Sequence, residues 1–73
     1  MELKNLKIVL KKIHKNSYLE LERTFSKFEG VTCPGLDVST RKFELVYDPK
    51  TISKEKIPST VKNLGYVIEK VID

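Results

Sequence analysis

The chain opens on an alternation. Leu6, Ile8 and Leu10 are apolar and two apart and alternate with Lys7, Val9 and Lys11, which predicts a strand with one face turned to a core. Lys12 to Asn16 breaks that period and reads as a loop. The period then changes: Leu21, Phe25 and Phe28 fall at i, i+4 and i+7, one stripe of a helix. Ser17 and Glu20 precede the stripe as S-x-x-E, the spacing of a capping box, in which hydroxyl and carboxylate each take a free N–H at the helix start. Gly30 predicts the helix end, since glycine enters the left-handed conformation without a steric penalty. Val31 to Ser39 alternates only weakly, through Leu36 and Val38, and is interrupted by Pro34 and Gly35. Proline has no N–H for a ladder, so this segment is predicted as an edge strand. Ser39 to Lys42 reads as a turn. Phe43, Leu45 and Tyr47 then alternate cleanly until Asp48-Pro49. Ser53 is a predicted cap for a second helix with its stripe at Ile57, Val61 and Leu64 and its end at Gly65. Pro58 requires that this helix begin later than Ser53 or open with an irregular turn. Tyr66 to Ile72, β-branched and aromatic, predicts a last strand.

Strand, helix, strand, strand, helix, strand is the order of an α+β, ferredoxin-like βαββαβ sandwich. With right-handed crossovers it gives a four-stranded antiparallel sheet carrying both helices on one face. The predicted core is Leu6, Ile8, Leu10, Leu21, Phe25, Phe28, Phe43, Leu45, Ile57, Val61 and Leu64. Lys7, Lys11 and Glu44 belong to the open face. Residues 1–73 read as a single domain, and a chain this short buries only about 60% of its unfolded surface. Nearly every apolar residue is therefore needed in one core, which argues against a lidded catalytic cleft. No apolar run approaches the ~20 residues of a membrane helix, and Met1-Glu2-Leu3-Lys4 lacks signal-peptide character. The expectation is a cytoplasmic protein away from membranes.

Three blocks carry a resemblance. Phe28-Glu29-Gly30-Val31, Lys42-Phe43-Glu44-Leu45-Val46-Tyr47-Asp48-Pro49 and Asn63-Leu64-Gly65-Tyr66 stand in order and at spacings similar to the heavy-metal-associated domain of copper chaperones and metal-transporting ATPases. The resemblance implies the same fold and a soft-metal site, M-x-C-x-x-C, in the first loop. Two thiolates at a helix N-terminus suit Cu(I). Counting back from Gly30, however, the two cysteines fall on His14 and Ser17, and the loop reads H-K-N-S. A neutral hydroxyl is a poor ligand for a soft cation, and the capping box accounts for Ser17. His14 is the sole histidine and one imidazole makes a weak site. Cys33 is the sole cysteine, near the start of the second strand, and the topology puts it at the far end of the sheet from the first loop.

Charge changes the picture at that loop. The chain carries 14 Lys and Arg against 10 Asp and Glu, a formal net charge of +4. The fold collects Lys11, Lys12, Lys15, Arg41, Lys42 and Lys62 at the first-loop end, with Tyr66 beneath. Such a rim repels a bare cation and adds to the positive end of the first helix. The sequence therefore predicts a small binding module with a degenerate metal loop that docks an acidic protein surface through this rim. The alternative is a metal-binding or metal-trafficking protein using His14 or Cys33 in a dimeric or partner-completed site. Nucleic-acid binding is disfavoured: Arg41-Lys42-Phe43 looks like the start of an RRM strand, but this fold needs Phe43 and Tyr47 in the core, not exposed for stacking. No paired carboxylates, nucleophile with a base, or cofactor cradle appears, so no catalytic residue and no cofactor beyond a weakly held transition metal is expected.

Overall fold

The structure, a computed structural model, describes residues 2–72 except for the side chains of Cys33 and Pro34. The elements are β1 (Lys4–Leu10), α1 (Ser17–Ser26), β2 (Val31–Asp37), β3 (Lys42–Tyr47), α2 (Lys56–Asn63) and β4 (Ile68–Ile72). All pairings are antiparallel, and the sheet order is β2-β3-β1-β4. This is the ferredoxin-like sandwich that the element order predicts.

The two clean alternations make the central strands. Leu6, Ile8 and Leu10 of β1 pair with or lie beside Leu45, Phe43 and Arg41, so one row of apolar side chains crosses the sheet and faces the helices. All three, with Phe43, Leu45 and Tyr47, are buried. Leu21 and Phe25 of α1 and Ile57 and Val61 of α2 complete the core, which also takes in Val31 and Tyr66. Phe25 lies at its centre, edge-on to Phe28 with ring centroids 5.4 Å apart and tilted against Phe43 at 5.3 Å. Phe28 and Leu64 are half-buried flanks of this core, not members of its interior. On the open face Val9 is also buried. Its ladder neighbours are Lys42 and Lys70, long side chains whose alkyl stems cover apolar surface.

The element ends depart from the sequence expectations for local reasons. Helix α1 stops at Ser26, short of Gly30. The hydroxyls of Thr24 and Ser26 donate to the carbonyls of Glu20 and Glu22, which draws those acceptors away from the regular ladder near the helix end. A turn over Lys27 to Glu29 follows before Gly30 takes up φ +87°. A Cβ at Gly30 would lie 2.8 Å from the Cβ of Thr51, so this position needs glycine twice over. Helix α2 begins at Lys56, not near Ser53, and Pro58 is then its third residue, where the missing N–H is one of those a helix start leaves unpaired anyway. β2 ends at Asp37, so Val38 lies in the turn and not in the strand, and β4 begins at Ile68, after Tyr66. The turn between β2 and β3 is held by Asp37, whose carboxylate accepts from the amides of Ser39 and Thr40 and from the Ser39 hydroxyl. That hydroxyl, with the two amides, holds the Asp37 pKa below its ordinary value against a smaller opposing effect of burial.

Candidate functional site

The sheet directs three connections to one end. The amide of Leu10 donates to Arg41 O, the Arg41 guanidinium Nε returns a bond of 3.1 Å to Leu10 O, and Lys11 N donates to Val67 O. The loop after β1, the β2–β3 turn and the lead-in to β4 are thereby tied together at the N-terminus of α1.

Ser17 organises this end in a way the capping box does not describe. It is the first residue of α1, wholly buried, and Asn16 is the N-cap, which makes no side-chain cap bond. The Ser17 hydroxyl oxygen accepts the amide of His14 at 2.8 Å, so it closes the loop back onto the helix and caps no residue ahead of it. Glu20 is likewise not the return arm of a cap: its carboxylate stands 3.9 Å from His14 Nε2. Burial, not an exposed helix start, defines the serine's role.

His14 is held from both ring nitrogens. Its Nδ1 accepts the Asn16 amide at 3.2 Å, so the neutral ring carries its proton on Nε2, which donates to the Tyr66 hydroxyl at 3.2 Å. The rings of His14 and Tyr66 lie nearly parallel, 9° apart with centroids 5.8 Å from each other. Tyr66 is buried. Burial pushes its pKa above the usual tyrosine value, Ser17 pulls it down through a hydrogen bond to the phenol oxygen, and the Glu20 carboxylate pushes it up again. His14, Ser17, Glu20 and Tyr66 thus form one polar cluster at the positions where the resemblance implies two thiolates.

This donor set does not fit a soft metal. A metal on His14 Nδ1 displaces the Asn16 amide, and one on Nε2 displaces the Tyr66 hydroxyl and requires the other tautomer. Ser17 has no thiolate to offer, and among the described residues no group of three or more His, Cys, Asp or Glu comes together. The backbone of Cys33 lies in edge strand β2, between Thr32, level with Val46 and Asn5, and Gly35, level with Glu44 and Lys7. Its side chain is outside the described set. Leu10, after which the loop that carries His14 begins, lies roughly 13 Å further along the strand direction and two strands across.

The rim cations are not equivalent. Lys11, Lys12 and Lys15 are exposed in or beside the first loop, and Lys62 is exposed in the last turn of α2. Arg41, at φ +57°, is partly committed to the backbone of β1. Lys42 is half-buried and shares the open face of the sheet with Val9 and Lys70. Two shallow clefts flank the loop. Lys12, Ile13, His14, Leu64, Gly65, Tyr66 and Val67 line one, and Ile13, His14, Lys15, Tyr18, Leu36 and Val38 the other. The signal available was the apolar Tyr18 and Val38 at positions where neither joins the core stripe.

No helix among the described residues is long and apolar enough to cross a membrane. No family model matches the sequence, and no curated protein is similar to it. Among solved structures, that of oxidized MerP from Ralstonia metallidurans CH34 superposes with a TM-score of 0.80 at 17% identity, over 94% of this chain and all of that one. At that identity the likeness establishes the fold alone, the ferredoxin-like α+β sandwich described above.

Proposed function

We propose that residues 1–73 act as one small, non-catalytic cytoplasmic binding module of the heavy-metal-associated type, whose first loop has exchanged metal capture for docking of an acidic protein surface. The observation that carries this reading is the engagement of His14 by the Asn16 amide and the Tyr66 hydroxyl, at an end where Lys11, Lys12, Lys15 and Lys62 are exposed. The polar cluster ties the first loop to the start of α1 and to Tyr66. The lysines supply the long-range attraction that steers an oppositely charged surface into place. The contact is expected to weaken as salt screens it, since the charges lie in solvent.

Calorimetric titration with Cu(I), Zn(II) and Ni(II) under reducing conditions tests the loss of metal capture. The reading predicts no one-to-one site tighter than about 1 μM, that is, none worth more than about 8 kcal/mol. A site tighter than this that disappears in His14→Ala overturns it.

A second reading is favoured by the place of Cys33 on an edge strand. Two copies meeting along β2 would bring two Cys33 thiolates to one soft ion, a donor pair that suits such a cation. It predicts metal-dependent dimerisation in sedimentation, and a chain that stays monomeric with excess Cu(I) excludes it.

A further inference from the structure

One of the two clefts carries more than the charge of the rim. Ile13, His14, Lys15, Tyr18, Leu36 and Val38 enclose about 270 Å³ between the first loop, the first turn of α1 and the end of β2. Tyr18 is 42% exposed and Val38 67%, while Ile13 and Leu36 line the cleft as half-buried residues continuous with the core. Exposed apolar side chains scattered singly need no explanation, but here they adjoin one another and frame a concavity. Lys15 lines it as well, and Lys12, next to Ile13 in the same loop, lines the other cleft. Lysines alone select for negative charge and do not distinguish a carboxylate from a phosphate. An apolar cleft offers nothing to a phosphate backbone, so an occupant that uses both features must bring carboxylates and an apolar side chain together.

We propose that the Ile13–Tyr18–Leu36–Val38 cleft seats an apolar side chain of an acidic protein segment whose carboxylates meet Lys12 and Lys15. This rests on the docking reading above and specifies what the partner must carry. The contact would follow the usual anatomy of a small interface, one desolvated apolar anchor inside a charged rim. It also assigns Val38, which no role in the fold requires to be apolar.

Selection of a random displayed peptide library on the whole chain tests the proposal. Enriched sequences are expected to be acidic and to share a large apolar residue. Peptides so obtained are then measured against Val38→Lys and Tyr18→Lys, both exposed positions, with thermal melts to check that each variant folds. These substitutions add positive charge while removing apolar surface, so the sign of the effect decides. The cleft predicts at least tenfold weaker binding to both variants and amide shifts at Ile13, Tyr18, Leu36 and Val38. Tighter binding to the variants, or enriched acidic peptides with no apolar residue, overturns the cleft and leaves acidic docking standing. Enrichment with no acidic bias, or none at all, or a single-stranded oligonucleotide that outcompetes the peptides, overturns both.

Discussion

Substitutions of Ser17 separate a buried tether from a helix cap. Ser17→Ala removes the acceptor of the His14 amide and the hydroxyl beside Tyr66, inside a site with no exposure at Ser17. A donor left without a partner in such a place costs about 1–3 kcal/mol. Because the His14 amide is only part-buried, the lower half of that range applies, about 1–2 kcal/mol. In a domain of this size each kcal/mol shifts the melting temperature by about 4–8 °C, so a fall of roughly 4–16 °C is expected in thermal melts followed by circular dichroism. Loss of a cap would cost a similar amount, so alanine alone does not discriminate. Ser17→Asp does. Aspartate is as good as serine at an N-cap, whereas in a closed site a carboxylate loses its hydration and the cost rises to several kcal/mol. The buried tether therefore predicts that Ser17→Asp is less stable than Ser17→Ala, and that the His14 amide exchanges faster in both. An aspartate variant within about 0.5 kcal/mol of the parent, a typical limit for an inconsequential change, refutes the tether.

Other consequences follow from single sites. Phe25→Ala empties the fully buried centre of the core and is expected to cost about 3–5 kcal/mol in urea titrations, a large part of the stability such a domain has. Gly30→Ala meets both the positive φ and the Thr51 side chain, so it should lose more than the ~1–2 kcal/mol of the left-handed conformation alone; Thr51→Gly in the same chain should restore the excess and not the remainder. Tyr66 holds its proton more tightly folded than unfolded, so its contribution is fully present below its unfolded value of 10.0 and is lost as pH rises through its higher folded value; stability should fall on that alkaline limb, and less steeply in Tyr66→Phe. Asp37 runs the other way: its contribution is present above 3.8 and is lost as pH falls through its lower folded value, and Asp37→Asn should flatten the acid limb of the stability profile.

The fold was legible because its information is local. Leu6, Ile8 and Leu10, and Phe43, Leu45 and Tyr47, each state a strand and a buried face within a few residues, and the structure buries all six. The ends were less legible because they depend on competition between neighbours, as where Thr24 and Ser26 bond back to the helix that Gly30 would otherwise end. The site is less legible for a different reason. S-x-x-E is the same string whether its serine faces water at a cap or is closed over by a tyrosine, and the residues that decide between them, His14 and Tyr66, are 52 positions apart. Likewise Tyr18, Leu36 and Val38 form a cleft only once β2 lies beside α1. The single imidazole that the sequence places in the first loop, His14, is stacked and hydrogen-bonded, and so has less freedom to act as a ligand.

The most direct test of a docking end is an amide shift map of the isotopically labelled chain titrated with an acidic peptide at low salt. The account predicts shifts concentrated from His14 to Leu19 and at Tyr66, reversed by added salt. Shifts confined to the open face of the sheet, at Thr32, Glu44 and Lys70, would contradict it.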